Sequence, residues 1–313
     1  MRMLITGAAG MIGTPLANRL VADGHTVLGI DDMSGGHDLN SLDNRVRFSR
    51  ADVRDVPKLW SLLADVDVVL HLAARVSVTE SILYPVEYNN VNTGGTVSLM
   101  AAARDAGVRR VVFGSSGTVY GPQAAQPVSE AAAARPVNPY AVSKFAAEHY
   151  VRAIGELYRI ETVTLRLFNV YGTWRQHRPN HPAVIPHFVH EVLSGASIVL
   201  HGDPPGGQTR DFVHVDDVVE ALVKSAVAGG ISGAVLNIGS GVETAVADLV
   251  PLIEVAAGRE ARVLTSTEQA GGIDRLWADV RAAREVLGWS PKVDLTTGLA
   301  RLAAEMRTHV LRS

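Results

Sequence analysis

A short apolar run, Met3-Leu4-Ile5-Thr6, empties into Gly7-Ala8-Ala9-Gly10-Met11-Ile12-Gly13, and a helical pattern resumes directly after it. Few folds need a strand that ends in glycines at three-residue spacing and then starts a helix. Such a turn brings backbone N–H groups and a helix N-terminus against a pyrophosphate. Gly7 permits the tight turn, Gly10 allows close approach of the ligand, and Gly13 lets helix and sheet pack closely. Met11 and Ile12 carry the chain from that approach into the helix. The spacing is Gly-x-x-Gly-x-x-Gly rather than the commoner Gly-x-Gly-x-x-Gly, so its position after a strand carries more weight than the string. The segment reads as a nucleotide site, with an empty structural turn as the alternative.

The first half continues in the same alternating style. Met3–Thr6, Thr26–Ile30, 46–49, 66–71, Arg110–Gly114 and 162–168 read as strands, and Gly13–Ala22, 89–106 and 140–158 as the plainest helices. Near-continuous apolar strands joined by helices imply a parallel sheet covered on both faces, with its ligand crevice at the strands' carboxyl ends. The expected class is α/β, a Rossmann-type doubly wound parallel sheet with a smaller mixed C-terminal lobe. After about residue 170 the pattern becomes mixed: a Pro- and His-rich loop, a helix near 186–193, a strand at 198–201, a break at 202–207, a strand at 235–238 and three helical stretches. This suggests a cofactor-binding part over 1–170, and a mainly substrate-binding lobe over 171–313 interleaved with the last elements of the sheet.

Composition removes other chemistries. The chain of 313 residues has no cysteine, which excludes disulfides, thiolate nucleophiles and thiolate metal sites. Its 29 basic and 32 acidic side chains nearly balance, so no nucleic-acid or anionic-membrane footprint is expected. The 11 histidines show no convincing metal-ligand spacing with one another or with carboxylates, and no metal is expected. No apolar run approaches the roughly 20 residues of a membrane span, and Met1-Arg2-Met3 runs into the first strand without a signal region. A soluble cytoplasmic protein is the expectation.

Asp31 ends the second strand, where a carboxylate accepts hydrogen bonds from ribose hydroxyls and repels a 2′-phosphate. Asp32 adds to that repulsion, Ser34 and Gly35 continue the same turn, and no Arg or Lys stands close in sequence. NAD is therefore favoured over NADP. Asp52 and Val53 follow the third strand, where the carboxylate could read the adenine amine. After the fourth, Leu72, Ala73 and Ala74 are small enough to let a dinucleotide cross the sheet edge. His71 reads as a satisfied sheet-end histidine rather than an acid/base.

Tyr140 and Lys144 stand one helical turn apart, which geometry alone explains in any helix. Their neighbours change that reading. The runs Thr6-Gly7 through Gly13, Phe113-Gly114-Ser115-Ser116-Gly117-Thr118-Val119-Tyr120-Gly121, Pro139-Tyr140 through Lys144, Leu167-Phe168-Asn169-Val170-Tyr171-Gly172 and Thr209-Arg210 through Val218 occur in one order. Jointly they resemble the extended short-chain dehydrogenase/reductase superfamily, in its NAD-dependent nucleotide-sugar epimerase/dehydratase branch. The resemblance spans nearly the whole chain. It implies Tyr140 as the acid/base, Lys144 as the residue holding the nicotinamide ribose, and Ser116 as a bridge between the sugar hydroxyl and Tyr140. A phenol titrating near 10 is a poor base at neutral pH, and a cationic lysine with a bound nicotinamide cation favours its phenolate. The resemblance further places Asn92 beneath the site with the cofactor, and Asn169 and Arg210 beside the substrate diphosphate. A guanidinium fork suits that last task.

In this branch a 4-epimerase oxidises the sugar to a transient 4-keto form and reduces it on the other face. Dehydratases carry an Asp-Glu pair after the equivalent of Ser116, and here the residues are Gly117-Thr118. The expected activity is therefore a UDP-hexose 4-epimerase, on UDP-glucose/UDP-galactose or their N-acetyl forms. Dehydratase, decarboxylase or keto-sugar reductase, UDP-glucuronate epimerase and a non-catalytic dinucleotide sensor are the alternatives. Gln269 replaces one diphosphate-clamping arginine of related enzymes, unless Arg275 reaches in. Arg178, in the unusual 173–181 segment, would contact either a diphosphate or a sugar carboxylate. A homodimer through the helices at 89–106 and 140–158 is also implied, with Val91, Val97 and Leu99 offered as contacts if they do not face the sheet.

Overall fold

A computed structural model describes residues 1–35, 39–172, 183–267 and 273–310. Strands β1 (Arg2–Thr6), β2 (Thr26–Asp31), β3 (Arg47–Arg50), β4 (Val68–His71), β5 (Arg110–Ser116) and β6 (Glu161–Leu167) alternate in the first half with helices α1 (Gly13–Ala22), α2 (Val56–Leu63), α3 (Val78–Leu83), α4 (Pro85–Tyr88), α5 (Gly95–Asp105) and α6 (Pro139–Tyr158). The second half holds β7 (Asn169–Tyr171), β8 (Ser197–His201), β9 (Thr209–Arg210), β10 (Phe212–His214), β11 (Ala234–Ile238), β12 (Thr244–Ala245), β13 (Arg262–Ser266) and β14 (Arg275–Leu276). Its helices are α7 (Val184–Ser194), α8 (Val215–Val227), α9 (Leu249–Ala257), α10 (Arg281–Leu287) and α11 (Leu295–Val310).

One sheet of seven strands, ordered β11-β6-β5-β4-β1-β2-β3, forms the centre, and every pairing in it is parallel. The order reverses between β1 and β4, where a doubly wound sheet opens its ligand crevice. Alternate residues of one strand supply the two faces. Met3 and Ile5 join α1 and α8 in one core, while Leu4 joins α2, α5 and α6 in another. A third core of α7, α9 and α11 with β8 and Phe212 holds the smaller lobe together.

Caps set the helix that matters most. Asn138 accepts the N–H of Ala141 and Pro139 takes the first turn, so α6 starts one residue before Tyr140. Arg159 ends it in the left-handed region. The expected helix over 89–106 is instead a π-helical turn, Asn89–Gly94, followed by α5. Helix α8, which is not among the expected elements, packs on the sheet beside α1 through Val215, Val218 and Leu222. Val91 and Leu99 are buried, and Leu99 faces the α2–α5–α6 core, so neither offers an outward contact. Leu99→Ala should therefore cost about 2–5 kcal/mol, the range for truncating a buried leucine. Chemical denaturation checks it, and a loss below about 1 kcal/mol would contradict the packing.

Candidate active site

The glycine turn has the shape its spacing implies. Gly7 lies at φ +73°, and a Cβ there would meet the Ala73 nitrogen at 2.9 Å. At Gly13 a Cβ would stand 2.0 Å from the Gly7 carbonyl oxygen. Neither contact has room for a methyl group. Gly10 donates its N–H to the Gly7 carbonyl at 3.1 Å, closing the turn. Asp31 accepts N–H bonds from Ala9 at 3.1 Å and Met33 at 2.8 Å, which locks its carboxylate across the mouth of that turn. Asp32 accepts from Ser34 N at 2.8 Å, with Gly35 exposed beyond it. Met11 and Ile12 are half-buried at the start of α1.

Three expected cofactor residues have other engagements. Asp52 is held by Arg54 through bonds of 2.7–3.1 Å, and that guanidinium keeps its carboxyl below the usual range. Val53 is buried under α5, where its Cγ2 fills the space over Gly95. Asn92 accepts from Arg75 N at 2.8 Å and donates to Arg75 O and Ser143 Oγ at 3.0 and 2.9 Å. Both its donors are used within the protein, so it acts as a brace between the 72–75 loop and α6. Arg50, paired in register with Asp31, also donates to the Asp32 carbonyl at 3.3 Å. The absence of a nearby cation in sequence thus does not hold in space.

His71 is buried and tied on both sides. Thr6 Oγ1 accepts from the N–H groups of Leu72 and Ala73 at 3.2 and 3.1 Å, so its own hydrogen points to His71 Nδ1, 2.6 Å away. Nε2–H then donates to Thr96 Oγ1 at 2.9 Å, and Thr96 donates to the Asn92 carbonyl at 2.5 Å. Burial, aided by the Lys144 charge, pushes the imidazole down to about 3 and keeps it neutral. Its role is to hold the 72–74 loop against Gly7, as a satisfied histidine.

Ser116, Tyr140 and Lys144 converge at the carboxyl end of β5, all buried. Ser116 Oγ accepts from Thr118 N at 3.2 Å and from Thr118 Oγ1 at 2.9 Å, which leaves its hydrogen for the phenol. Burial raises Tyr140 above its ordinary value, and the Ser116 hydrogen bond opposes that rise. The Lys144 ammonium sits 4.4 Å from the centre of the Phe113 ring, and burial pushes it down to about 8 against the pull of Glu148. Gly117 packs closely on the Phe168 ring: a Cβ would lie 3.1 Å from three of its atoms, so a side chain there would need the ring to shift by a few tenths of an ångström.

The substrate side begins at the next residue. Asn169 is exposed on β7, and its N–H donates to the Asp211 carbonyl at 3.0 Å, which sets it beside Arg210. Arg210 donates to Thr209 O at 2.8 Å and Gln208 Oε1 at 3.1 Å. No carboxylate lies within ion-pair distance of it among the described residues, and burial lowers it. Arg275 is otherwise occupied: it forks Glu243 at 2.5 and 2.9 Å and stacks 4.5 Å over Trp277. It does not stand in for the arginine that Gln269 replaces. Arg178 and Gln269 lie outside the described residues.

The glycine cradle, the Asp31 carboxylate and the Ser-Tyr-Lys cluster thus lie along the carboxyl ends of the sheet strands, and residues 3–239 match the model of the NAD dependent epimerase/dehydratase family. The chain belongs to that family. The UDP-glucose 4-epimerase of Mycolicibacterium smegmatis is 42% identical over 308 residues, 96% of this chain and 97% of that one. Among solved structures, the Thermotoga maritima UDP-glucose 4-epimerase with UDP-glucose has a TM-score of 0.94 at 30% identity, covering 99% of this chain and 100% of that one. The UDP-glucuronic acid 4-epimerase of Bacillus cereus, in complex with UDP-glucuronic acid and NAD, has a TM-score of 0.90 at 30% identity, with 99% and 100% covered.

The cradle fits NAD by its own geometry, since Gly7, Gly10 and Gly13 leave backbone open where side chains would intrude. Among the described residues no group of three or more His, Asp or Glu is placed to hold a metal ion. Nor is any described helix long and apolar enough to cross a membrane. In this family member, Gly13→Ala should lower NAD affinity at least about tenfold, about 1.4 kcal/mol, because its methyl displaces the Gly7 carbonyl. Calorimetric titration with NAD checks this, and unchanged affinity would contradict the geometry.

Proposed function

We infer that this chain is an NAD-dependent nucleotide-sugar 4-epimerase whose substrate is UDP-glucose/UDP-galactose or an N-acetyl form of them. The observation that carries the choice of reaction is Gly117 against the Phe168 ring. Elimination of water needs a proton donor and acceptor beside the oxidised carbon, and Gly117, packed tightly on that ring, supplies neither. Thr118, the next residue, spends its hydroxyl on Ser116. The site keeps the residues for moving one carbinol proton and lacks a carboxylate pair after Ser116.

Bound NAD supplies the electron acceptor, and later the donor, at the sugar carbinol. Tyr140 Oη takes and returns the hydroxyl proton, and Ser116 Oγ holds that oxygen near the phenol. In the free protein burial keeps Tyr140 protonated at neutral pH. The Lys144 cation on the same helix favours its ionised form. Arg210 and Asn169 anchor the diphosphate while the hexose turns, so binding energy remote from the sugar fixes the nucleotide. Residues 1–170 supply the cofactor side of this work and 171–313 mainly the substrate side.

A homodimer completes the proposal. Val142, Tyr150 and Leu157 are about half exposed or more and recur along one side of α6. Ile82, Leu83 and Val86 are equally exposed on α3 and α4, which pack against α6. A second copy of the chain, docking α6 against α6, would cover this apolar face. Sedimentation should show a dimer at micromolar concentration and a monomer for Tyr150→Asp/Leu157→Asp, and a monomeric parent would remove the proposal.

The reaction is tested by incubating the protein with UDP-, TDP-, CDP- and GDP-sugars, UDP-glucuronate included, with and without NAD. Products of unchanged mass and inverted C4 by NMR support the epimerase. Products lighter by about one water, or stoichiometric use of cofactor, refute it. Tyr140→Phe should lower turnover by at least about 100-fold while leaving NAD affinity nearly intact.

A further inference from the structure

One full turn beyond Lys144 on α6, Glu148 is buried with no role in the chemistry described above. It accepts from Ser115 Oγ at 2.5 Å and from Arg166 Nε and Nη2 at 3.1 and 2.7 Å. Arg166 lies on β6, is buried as well, and stacks 4.7 Å over the Tyr120 ring. Ser115 and Arg166 are register partners in β5 and β6, and Ser115 directly precedes Ser116. The ion pair therefore joins the helix of Tyr140 and Lys144 to the strand end of Ser116.

We propose that Glu148 and Arg166 are positioning residues for the reaction: their buried pair sets the charge felt by the Lys144 ammonium and clamps the strand end that presents Ser116. The assignment rests on Lys144 being the cation that favours the Tyr140 phenolate.

Among the described residues few charges compete for control of Lys144. Glu148 acts on it from α6, where Tyr140 stands one turn to the other side, His71 faces it from β4 as a neutral ring, and β5 offers the Phe113 face. Arg166 comes from β6 as the partner of Glu148. On the far side of the pair, a cleft of about 210 Å³ lined by Phe145, His149, Arg152, Thr162 and Thr164 admits solvent to it. Burial works against the lysine charge, and Glu148 is the carboxylate that opposes burial. With Glu148 neutralised, the Arg166 charge would stand uncompensated and depress the ammonium further. With Arg166 removed, the carboxylate would act on Lys144 undiluted.

Opposite substitutions therefore give opposite signs, which a merely structural pair would not. The chain has four lysines, Lys58, Lys144, Lys224 and Lys292, so each side chain is resolvable by NMR after isotope labelling, with Lys144→Ala to assign the signal. In the NAD-free protein, Glu148→Gln should lower the Lys144 midpoint by about one pH unit and Arg166→Gln should raise it. Glu148→Asp should restore most of the parent value. Lys144 needs its proton, so the alkaline fall of turnover should move to lower pH in Glu148→Gln and to higher pH in Arg166→Gln. UDP-galactose and UDP-glucose are the probes for that second reading. Midpoints that do not move, or that move the same way, overturn the proposal. If one single variant does not fold, the other carries the test: a midpoint that moves in the direction given for it supports the proposal, and one that stays at the parent value or moves the other way overturns it. Because the NMR readout needs no turnover, its failure is distinguishable from failure of the epimerase reading.

Discussion

The carboxyl ends of β1 and β4 are joined by the Thr6–His71–Thr96 hydrogen-bond chain, and the rest of the site hangs from that joint. Gly7 needs Ala73 closer than a side chain would allow, and Thr6 Oγ1 holds the loop there by accepting its N–H groups. His71 passes the connection to Thr96 on α5, and Thr96 passes it to the Asn92 carbonyl. The Asn92 side chain then reaches Arg75 and Ser143. The glycine turn and helix α6 are thereby referenced to the same pair of strands. A neutral imidazole is essential to this chain, because one ring nitrogen accepts while the other donates.

Charge at the site is arranged with similar economy. Burial pushes Tyr140 up and Lys144 down, each in the direction of its neutral form. The Glu148–Arg166 pair sits behind them, satisfied by Ser115, and keeps the helix face from being purely apolar. Removing one partner of such a buried pair leaves an uncompensated charge, which costs about 3–5 kcal/mol. The Arg210 guanidinium, by contrast, has no carboxylate within ion-pair distance among the described residues and bonds only to neutral oxygens.

The parallel sheet, the glycine cradle and the grouping of Ser116, Tyr140 and Lys144 were legible because each depends on local spacing: glycines after a strand, apolar runs of strand length, two side chains one turn apart. The π-turn at 89–94 was not, since its residues read as ordinary helix. Asp52 looked available until the fold paired it with Arg54, and Asn92 looked like a ligand contact until Arg75 and Ser143 used its donors. Arg275 looked like a substitute cation until Glu243 claimed it. Glu148 and Arg166 had no signal beyond being charged residues in an apolar helix and strand, and only burial shows them to be a pair.

The amino-acid sequence by itself determined the strand-turn-helix opening, the one-turn spacing of Tyr140 and Lys144 and the lack of an acidic pair after Ser116. These follow from backbone sterics, helical periodicity and residue type, which act over a few neighbouring positions. Tertiary structure decided which charges are spent on one another and which face the crevice. It also packed the Phe168 ring, from the link between β6 and β7, closely against Gly117. Hydrogen bonds, ion pairs and ring contacts of this kind join residues distant in sequence, so they exist only once the sheet has set its register.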